Sequence, residues 1–518
     1  MTQSEKKPEM DATVQEKYAL DITAIDAVEH NGIRVHPQPT ADPLDPLNWS
    51  RLQKHTILGI VMFKYFLFTY LTTTTVPSFP EIQTQFAITS SQVNWTVAIP
   101  ALGLSIGPLF WSSLSDIYGR RIVFVTGTFI ALVSTIGAAV ADRYGGYMAA
   151  RFFQGFGVSP ASSVGMAVVN DLFFDYERGE KLGLWVLAID AGLLVGPTFG
   201  GFLNLVSAAW INWFNAILFG ILFLLELFLM PETLYPRSMM LSLMPPSPLP
   251  PVATTTNTAA TLDAENEHKQ PARTKTLPFL NICPLHALYT PRLTTTLTRF
   301  LYTFTLPTIT LAVLGYGFLW YWWVLSVITM IPAAYPQYSP LIQGLLFLGL
   351  LVGTLISEVC CSGRLSDHIV NRLAKRNGGV RVAEMRLWLV YPAGLLTAVA
   401  SGIQVSNTVV SSYIIDSYPL QTTSVVIFYA VFLNLSAFIN PVFPLLPLSF
   451  FLWHSKARLM ALAVFYNAVA GIRRVDVGVH NAGAYRGWSW ADTLCGLAAV
   501  WAGFARKCID AIVGKSGV

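Results

Sequence analysis

The chain has 518 residues, 53% of them hydrophobic and only 12% charged, with a formal net charge of +4 and a mean hydropathy of +0.52. Soluble domains carry about 25% charged residues, so this composition excludes a water-soluble globule of comparable size and leaves a polytopic membrane protein. The small net charge gives no case for nucleic acid, five cysteines without a C-x-x-C pair give none for a disulfide framework or zinc site, and no G-x-x-x-x-G-K-[ST] run supports ATP-driven transport.

Residues 1–55 are polar and lack the apolar core of a signal peptide, which predicts a disordered cytoplasmic tail. A helix needs about 20 apolar residues to cross the hydrocarbon core. Runs long enough lie at 56–76, 93–114, 122–141, 147–169, 182–203 and 214–230, and together predict a six-helix bundle over 56–230. Residues 231–297, rich in Pro, Ser and Thr, cannot build a packed core and are expected to be a cytoplasmic linker. Spans resume at 300–331 and 341–361, opening a second, contracted bundle over 298–453.

Loop charges set the orientation. Arg120 and Arg121 follow the second span, Arg178 and Lys181 the fourth, Arg237, Lys269, Arg273 and Lys275 the sixth, and Arg364, Arg372, Lys375, Arg376, Arg381 and Arg386 the eighth. The intervening loops carry only Arg143. That alternation places the N-terminus in the cytoplasm. After Arg386 the pattern breaks: 387–415 is a single uncharged run of roughly 43 Å as a helix, too long for one crossing and too short for two. Residues 424–453 are interrupted by Pro441, Pro444 and Pro447, and 454–518 form an atypical tail whose apolar pieces are too short to span. The chain reads as about ten good spans.

Ionisable residues inside the runs carry the functional signal. Arg151 must face the bundle interior, paired or hydrated, for proton coupling, linkage of the halves or a structural ion pair. Lys64 and Asp190 are candidates for a buried pair or a substrate contact, with snorkelling to an interface as the plain alternative for the lysine. Asp190 or Glu358 could carry the proton. Gly192, Gly196, Gly200 and Gly201 permit close helix approach, and Pro197 invites a kink. Trp320 and Trp323, in the run Trp320–Trp323, either line a cavity or form an interfacial belt.

The turn Asp116-x-x-Gly119-Arg120-Arg121 between the second and third spans resembles the loop signature of the major facilitator superfamily, with Ser112 where that family usually has its first glycine. Arg151-x-x-Gln154-Gly155-x-Gly157 is similar to the superfamily's span-four element, and Gly192-x-x-x-Gly196-Pro197-x-x-Gly200-Gly201 to the element of proton-driven antiporters. Asp45-Pro-Leu-Asn-Trp49, Asp171-Leu-Phe, Glu177-Arg178-Gly179, Pro231-Glu232-Thr233 and Glu384-Met-Arg386-Leu387 look like markers of fungal drug:proton antiporters. Gly363 and Asp367 repeat the start of the loop signature, without its later Gly-Arg. The resemblance runs from about Asp42 to Leu448.

It implies an all-α polytopic membrane protein of the major facilitator fold: two bundles of nominally six helices, the second incomplete. It implies a secondary transporter that exports a small organic compound by proton-coupled alternating access, from the plasma membrane and as a monomer. The implied partners are a small-molecule substrate, protons and the lipid bilayer, with no nucleic acid and no cofactor. Asp116, Gly119, Arg120, Arg121, Gly363 and Asp367 would gate, and Arg151, Asp190 and Glu358 would couple protons. Lys64, Gln154, Trp320 and Trp323 would meet substrate. Proton-coupled uptake of an organic cation or nutrient is the first alternative, and a non-transporting sensor or inactive product the second. Enzyme chemistry is not expected, because no nucleophile–base pair or metal-ligand set stands out within the spans.

Overall fold

The computed structural model describes residues 29–30, 33–34, 37, 39–40, 42–235, 298, 300–317, 325, 328–329, 331, 336–361, 363–376, 385, 401–417 and 422–442. Trp320, Trp323, most of the 231–297 linker and the 454–518 tail lie outside them. Apart from a two-residue antiparallel pairing of Glu29–His30 with Ile33–Arg34, the regular structure among the described residues is helical.

The first span starts earlier than its hydropathy predicts. Ser50 caps it by accepting from the Gln53 amide, so helix α1 runs Arg51–Thr73. A 3₁₀ turn at Val76–Ser78, with Pro77, leads into the short α2, Phe79–Phe86, with Pro80 in its first turn. Helix α3, Ser90–Tyr118, opens on a Thr89–Gln92 capping box. It meets α4, Arg120–Ala139, at Gly119 without an intervening loop. The fourth span divides at Ser159 into α5, Tyr144–Val158, and α6, Pro160–Leu172, because Pro160 restarts the helix. Helices α7, Asp175–Asn204, and α8, Ala208–Leu229, complete the first half. Each of the six apolar runs predicted there falls on a helical stretch long and apolar enough to cross a membrane.

In the second half, α9 spans Pro307–Gly315, α10 Pro340–Leu345, α11 Phe347–Cys361, α12 Gly363–Arg376, α13 Ser401–Ser417 and α14 Thr422–Val442. The uncharged run 387–415 therefore contains a helix that begins only at Ser401 and continues past the run to Ser417. Among the described residues, seven helical stretches are long and apolar enough to cross a membrane. The apolar windows of α4 and α8 are only 39% buried, against 67–78% for the other five. Phe129, Val133, Ile136, Ile221, Leu224 and Phe228 on these two helices are exposed, as suits helices at the lipid-facing edge of a bundle.

Part of the segment assigned to a disordered tail is folded. Asp45 caps the 3₁₀ turn Pro46–Asn48 and accepts from the Thr40 amide and hydroxyl, and Lys54 donates to the Leu47 carbonyl. The Tyr235 hydroxyl, at the start of the linker, lies 3.1 Å from that of Thr40 and donates to Asp42. Composition could not show this, because a few polar side chains closing hydrogen bonds do the work of an apolar core.

The halves meet along two seams. Helix α7 packs against α10, α11, α12 and α13, and α3 packs against α14, where the Ser105 hydroxyl donates to the Val431 carbonyl at 3.0 Å.

Candidate functional site

At the end of α3 the chain must turn at once into α4, and Gly119 does so with φ of +103°, a region that favours glycine. Arg120 then folds back on Asp116 and Ser115, both at 2.6 Å, with Asp171 of α6 at 3.7 Å. Beneath the turn sits the buried Glu232, which accepts from the Arg120 and Arg121 amides at 2.9 and 3.2 Å and from its own Leu234 amide. A carboxylate on the free N–H groups of a helix start is a favourable cap. A side chain at Gly119 would strike that carboxylate. Burial pushes the Glu232 carboxyl above its ordinary 4.5, and the three amides pull it partly back. Arg121 donates to the Leu227 carbonyl at 2.6 Å, tying α4 to the end of α8. Asp367 on α12 occupies the space that a side chain on Gly179 of α7 would need, so the repeated loop element of the second half sits against the first half. Gly363 begins α12.

Arg151 is fully buried, as its position demands, and its partners are neutral oxygens. It donates to the Thr96 carbonyl (3.1 Å), the Leu71 carbonyl (2.9 Å), the Gln154 amide oxygen (3.1 Å) and the Thr75 hydroxyl (3.3 Å). It thus joins α1, α3 and α5. Among the described residues it is bonded to neither Asp190 nor Glu358. Among the described residues the Gln154 amide nitrogen, buried beside it, has no hydrogen-bond partner.

Lys64 pairs with Glu226 of α8 at 3.1 Å, both side chains fully buried. Its ammonium also donates to the Phe124 carbonyl (2.7 Å) and Thr128 hydroxyl (2.8 Å) of α4. These contacts hold the ammonium between α4 and α8, and the expected Lys64–Asp190 pairing is replaced by Lys64–Glu226. Desolvating such a pair costs several kcal/mol per ion, so its geometry must be closely held. Glu226 escaped the sequence reading, although a lone carboxylate in FLLELFLM is the signal that was applied to Asp190.

Asp190, buried on α7, faces the other half of the molecule. Asn407 of α13 donates to its two oxygens at 3.4 and 3.3 Å, and the Tyr429 hydroxyl of α14 donates to the Asn407 oxygen at 2.5 Å. Glu358 of α11 is buried and within electrostatic reach of Asp190. Two carboxyls and a neutral amide–phenol chain therefore meet where the halves touch. Asn407 and Tyr429 were missed because single neutral polar residues in an apolar run carry no distinctive spacing.

The glycines of α7 form a seam with α1. A side chain at Gly192 would meet the Phe66 carbonyl, at Gly196 the Thr73 hydroxyl and at Gly200 the Thr74 carbonyl. Gly201 faces the Pro340 carbonyl of α10, and Gly344 of α10 faces the Pro197 carbonyl. One helix thus packs closely against α1 and against the second half.

The sequence model of the Major Facilitator Superfamily matches residues 61–472. The chain belongs to that superfamily. It is a transporter and a multi-pass membrane protein. The match ends 24 residues beyond Leu448, so the family's pattern persists further than the sequence motifs alone indicated. The transporter is 31% identical over 360 residues to the MFS transporter cpaT of Aspergillus oryzae, covering 68% of each chain. It is 32% identical over 185 residues to the MFS antiporter QDR3 of Candida albicans, 35% of this chain and 26% of that one. It is 30% identical over 194 residues to quinidine resistance protein 3 of Saccharomyces cerevisiae, 37% of this chain and 28% of that one. The crystal structure of the human organic anion transporter MFSD10 superposes with a TM-score of 0.53 at 16% identity, covering 80% of this chain and 98% of that one. At that identity the likeness establishes the shared fold.

Proposed function

We propose that this transporter is a proton-coupled antiporter that exports a small organic compound by alternating access, from the plasma membrane and with its N-terminus in the cytoplasm. The observation that carries the reading is Asp190: a buried carboxyl at the junction of the halves whose hydrogen-bond partner is the neutral Asn407. A carboxyl locked to arginine is held ionised, whereas one facing an amide can be occupied by a proton or by a substrate cation in turn. Protonation removes acceptor strength from the Asn407 contact and so loosens α7 from α13. Glu358, a second buried carboxyl, lies within electrostatic reach of the first. The glycine seam of α7, similar to the antiporter element, supports exchange rather than leak, as does the likeness to an antiporter. Likeness to a quinidine resistance protein supports export, since export of a compound confers resistance to it. Asp116, Gly119, Arg120 and Arg121, with Gly363 and Asp367 in the second half, would latch the cytoplasmic ends while the transporter faces outward. Gln154, with its free amide nitrogen, is the substrate contact we favour in the first half.

Fungal cells expressing the chain and loaded with quinidine should retain several-fold less of it than control cells, and a protonophore should erase the difference. Proton-dependent accumulation inside the cells would instead establish the uptake reading.

A further inference from the structure

We propose that Lys64 and Glu226 are positioning residues for the exchange: the pair fixes the rotation and depth of α1 so that the opposite face of that helix meets the glycine seam of α7. The inference rests on the exchange reading above. The pair lies behind α1, against α4 and α8, the two helices most open to lipid. The ammonium donates to the Phe124 carbonyl and the Thr128 hydroxyl and pairs with the Glu226 carboxylate at 3.1 Å. The centre of the Phe124 ring stands 4.3 Å from the ammonium.

At 100° per residue, Phe66, Thr69, Tyr70 and Thr73 fall roughly 140–240° around α1 from Lys64, on its far side. There the Thr69 hydroxyl donates to the Ile189 carbonyl of α7 at 2.7 Å, next to Asp190 in the chain. The carbonyls and hydroxyls of the same face lie against Gly192, Gly196 and Gly200. Helix α1 is therefore held between a charge pair on one side and, on the other, a seam whose α7 face is glycine. That face offers no side chains of its own to set register, and the Thr69–Ile189 bond is a directed contact across it. The ion pair and two hydrogen bonds behind the helix add directed contacts that the glycine face lacks. Apolar residues would fill the same space with less desolvation, so cohesion alone does not call for a charge pair there; specifying register does.

The test uses the full chain in proteoliposomes, with Lys64→Met/Glu226→Leu as the main variant because it leaves no unpaired charge, and Glu226→Asp as the conservative control. Protons moved per quinidine are measured alongside thermal unfolding and amide hydrogen exchange over residues 189–200. The double variant should unfold near the wild-type temperature, lose at least threefold in coupling ratio and exchange faster along α7, while Glu226→Asp recovers most of both. A folded double variant with wild-type coupling and wild-type exchange would overturn the inference. Were the wild type itself to move no protons with quinidine, the exchange reading would fall. The hydrogen-exchange comparison would still decide whether the pair sets the α1–α7 seam.

Discussion

Arg151 is held by oxygens that carry no net charge, and this changes what its removal does. A guanidinium bonded to a carboxylate leaves an anion behind when it is deleted; here the deletion leaves neutral carbonyls, that of Thr96, whose helical donor position is Pro100 with no N–H, and that of Leu71 in the last turn of α1. Hydrogen bonds to a charged donor contribute about 1.5–3 kcal/mol each, so Arg151→Ala should loosen α1, α3 and α5 without exposing a buried anion. The expected result is normal membrane insertion with proton-coupled flux reduced at least tenfold, measured as quinidine transport per folded molecule. Arg151→Lys, with one point of charge in place of a planar fork, should fall between. Wild-type flux in the alanine variant would remove the role. Sequence reasoning placed Arg151 in the interior because a charge in an apolar run has no other inexpensive place. It could not name the partners, which come from helices 76 and 55 residues away in sequence at Thr75 and Thr96. The same limit produced the wrong partner for Lys64.

At the scale of elements, Glu232 joins three of them: the start of α4, the end of α8 and the first residues of the linker. Glu232→Ala should cost about 1–2 kcal/mol, the worth of an N-terminal cap, seen as a lower unfolding temperature. Because burial raises the Glu232 carboxyl in the folded protein, the fold binds its proton more tightly than the unfolded chain does. The pH-dependent part of its contribution is therefore fully present below the ordinary value of 4.5 and is lost as pH rises through the elevated folded value, while the bonds to the helix-start amides remain. Glu232→Gln should flatten that part of the stability–pH curve, and an unchanged slope would contradict the assignment. The six crossings of the first half were legible because each is a run of apolar residues bounded by caps or charges. The break at Ser159 was not, since Pro160 interrupts the helix without interrupting its hydropathy. Nor was the folded Thr40–Asn48 segment, where Asp45, Asn48 and Lys54 bond to backbone around the buried Pro46 and Leu47.

For the whole molecule, the decisive geometry is the contact between halves. Helix α7 carries Asp190 toward Asn407, the glycine seam toward α1, and Gly179 toward Asp367, so the three features that the proposed exchange uses lie on one helix. That convergence was only partly visible in the sequence, where the three features are separate motifs. Their common helix was legible, but the opposing residues were not, because Asn407 lies in a run that length alone could not resolve. The central claim is that Asp190 is where proton and substrate exchange. The measurement that tests it most directly compares wild type with Asp190→Asn in proteoliposomes, following both quinidine-for-quinidine counterflow and quinidine accumulation driven by a pH gradient. The account predicts that the variant keeps counterflow, since alternation does not need the proton, and loses gradient-driven accumulation. Accumulation in the variant equal to that of wild type would contradict it.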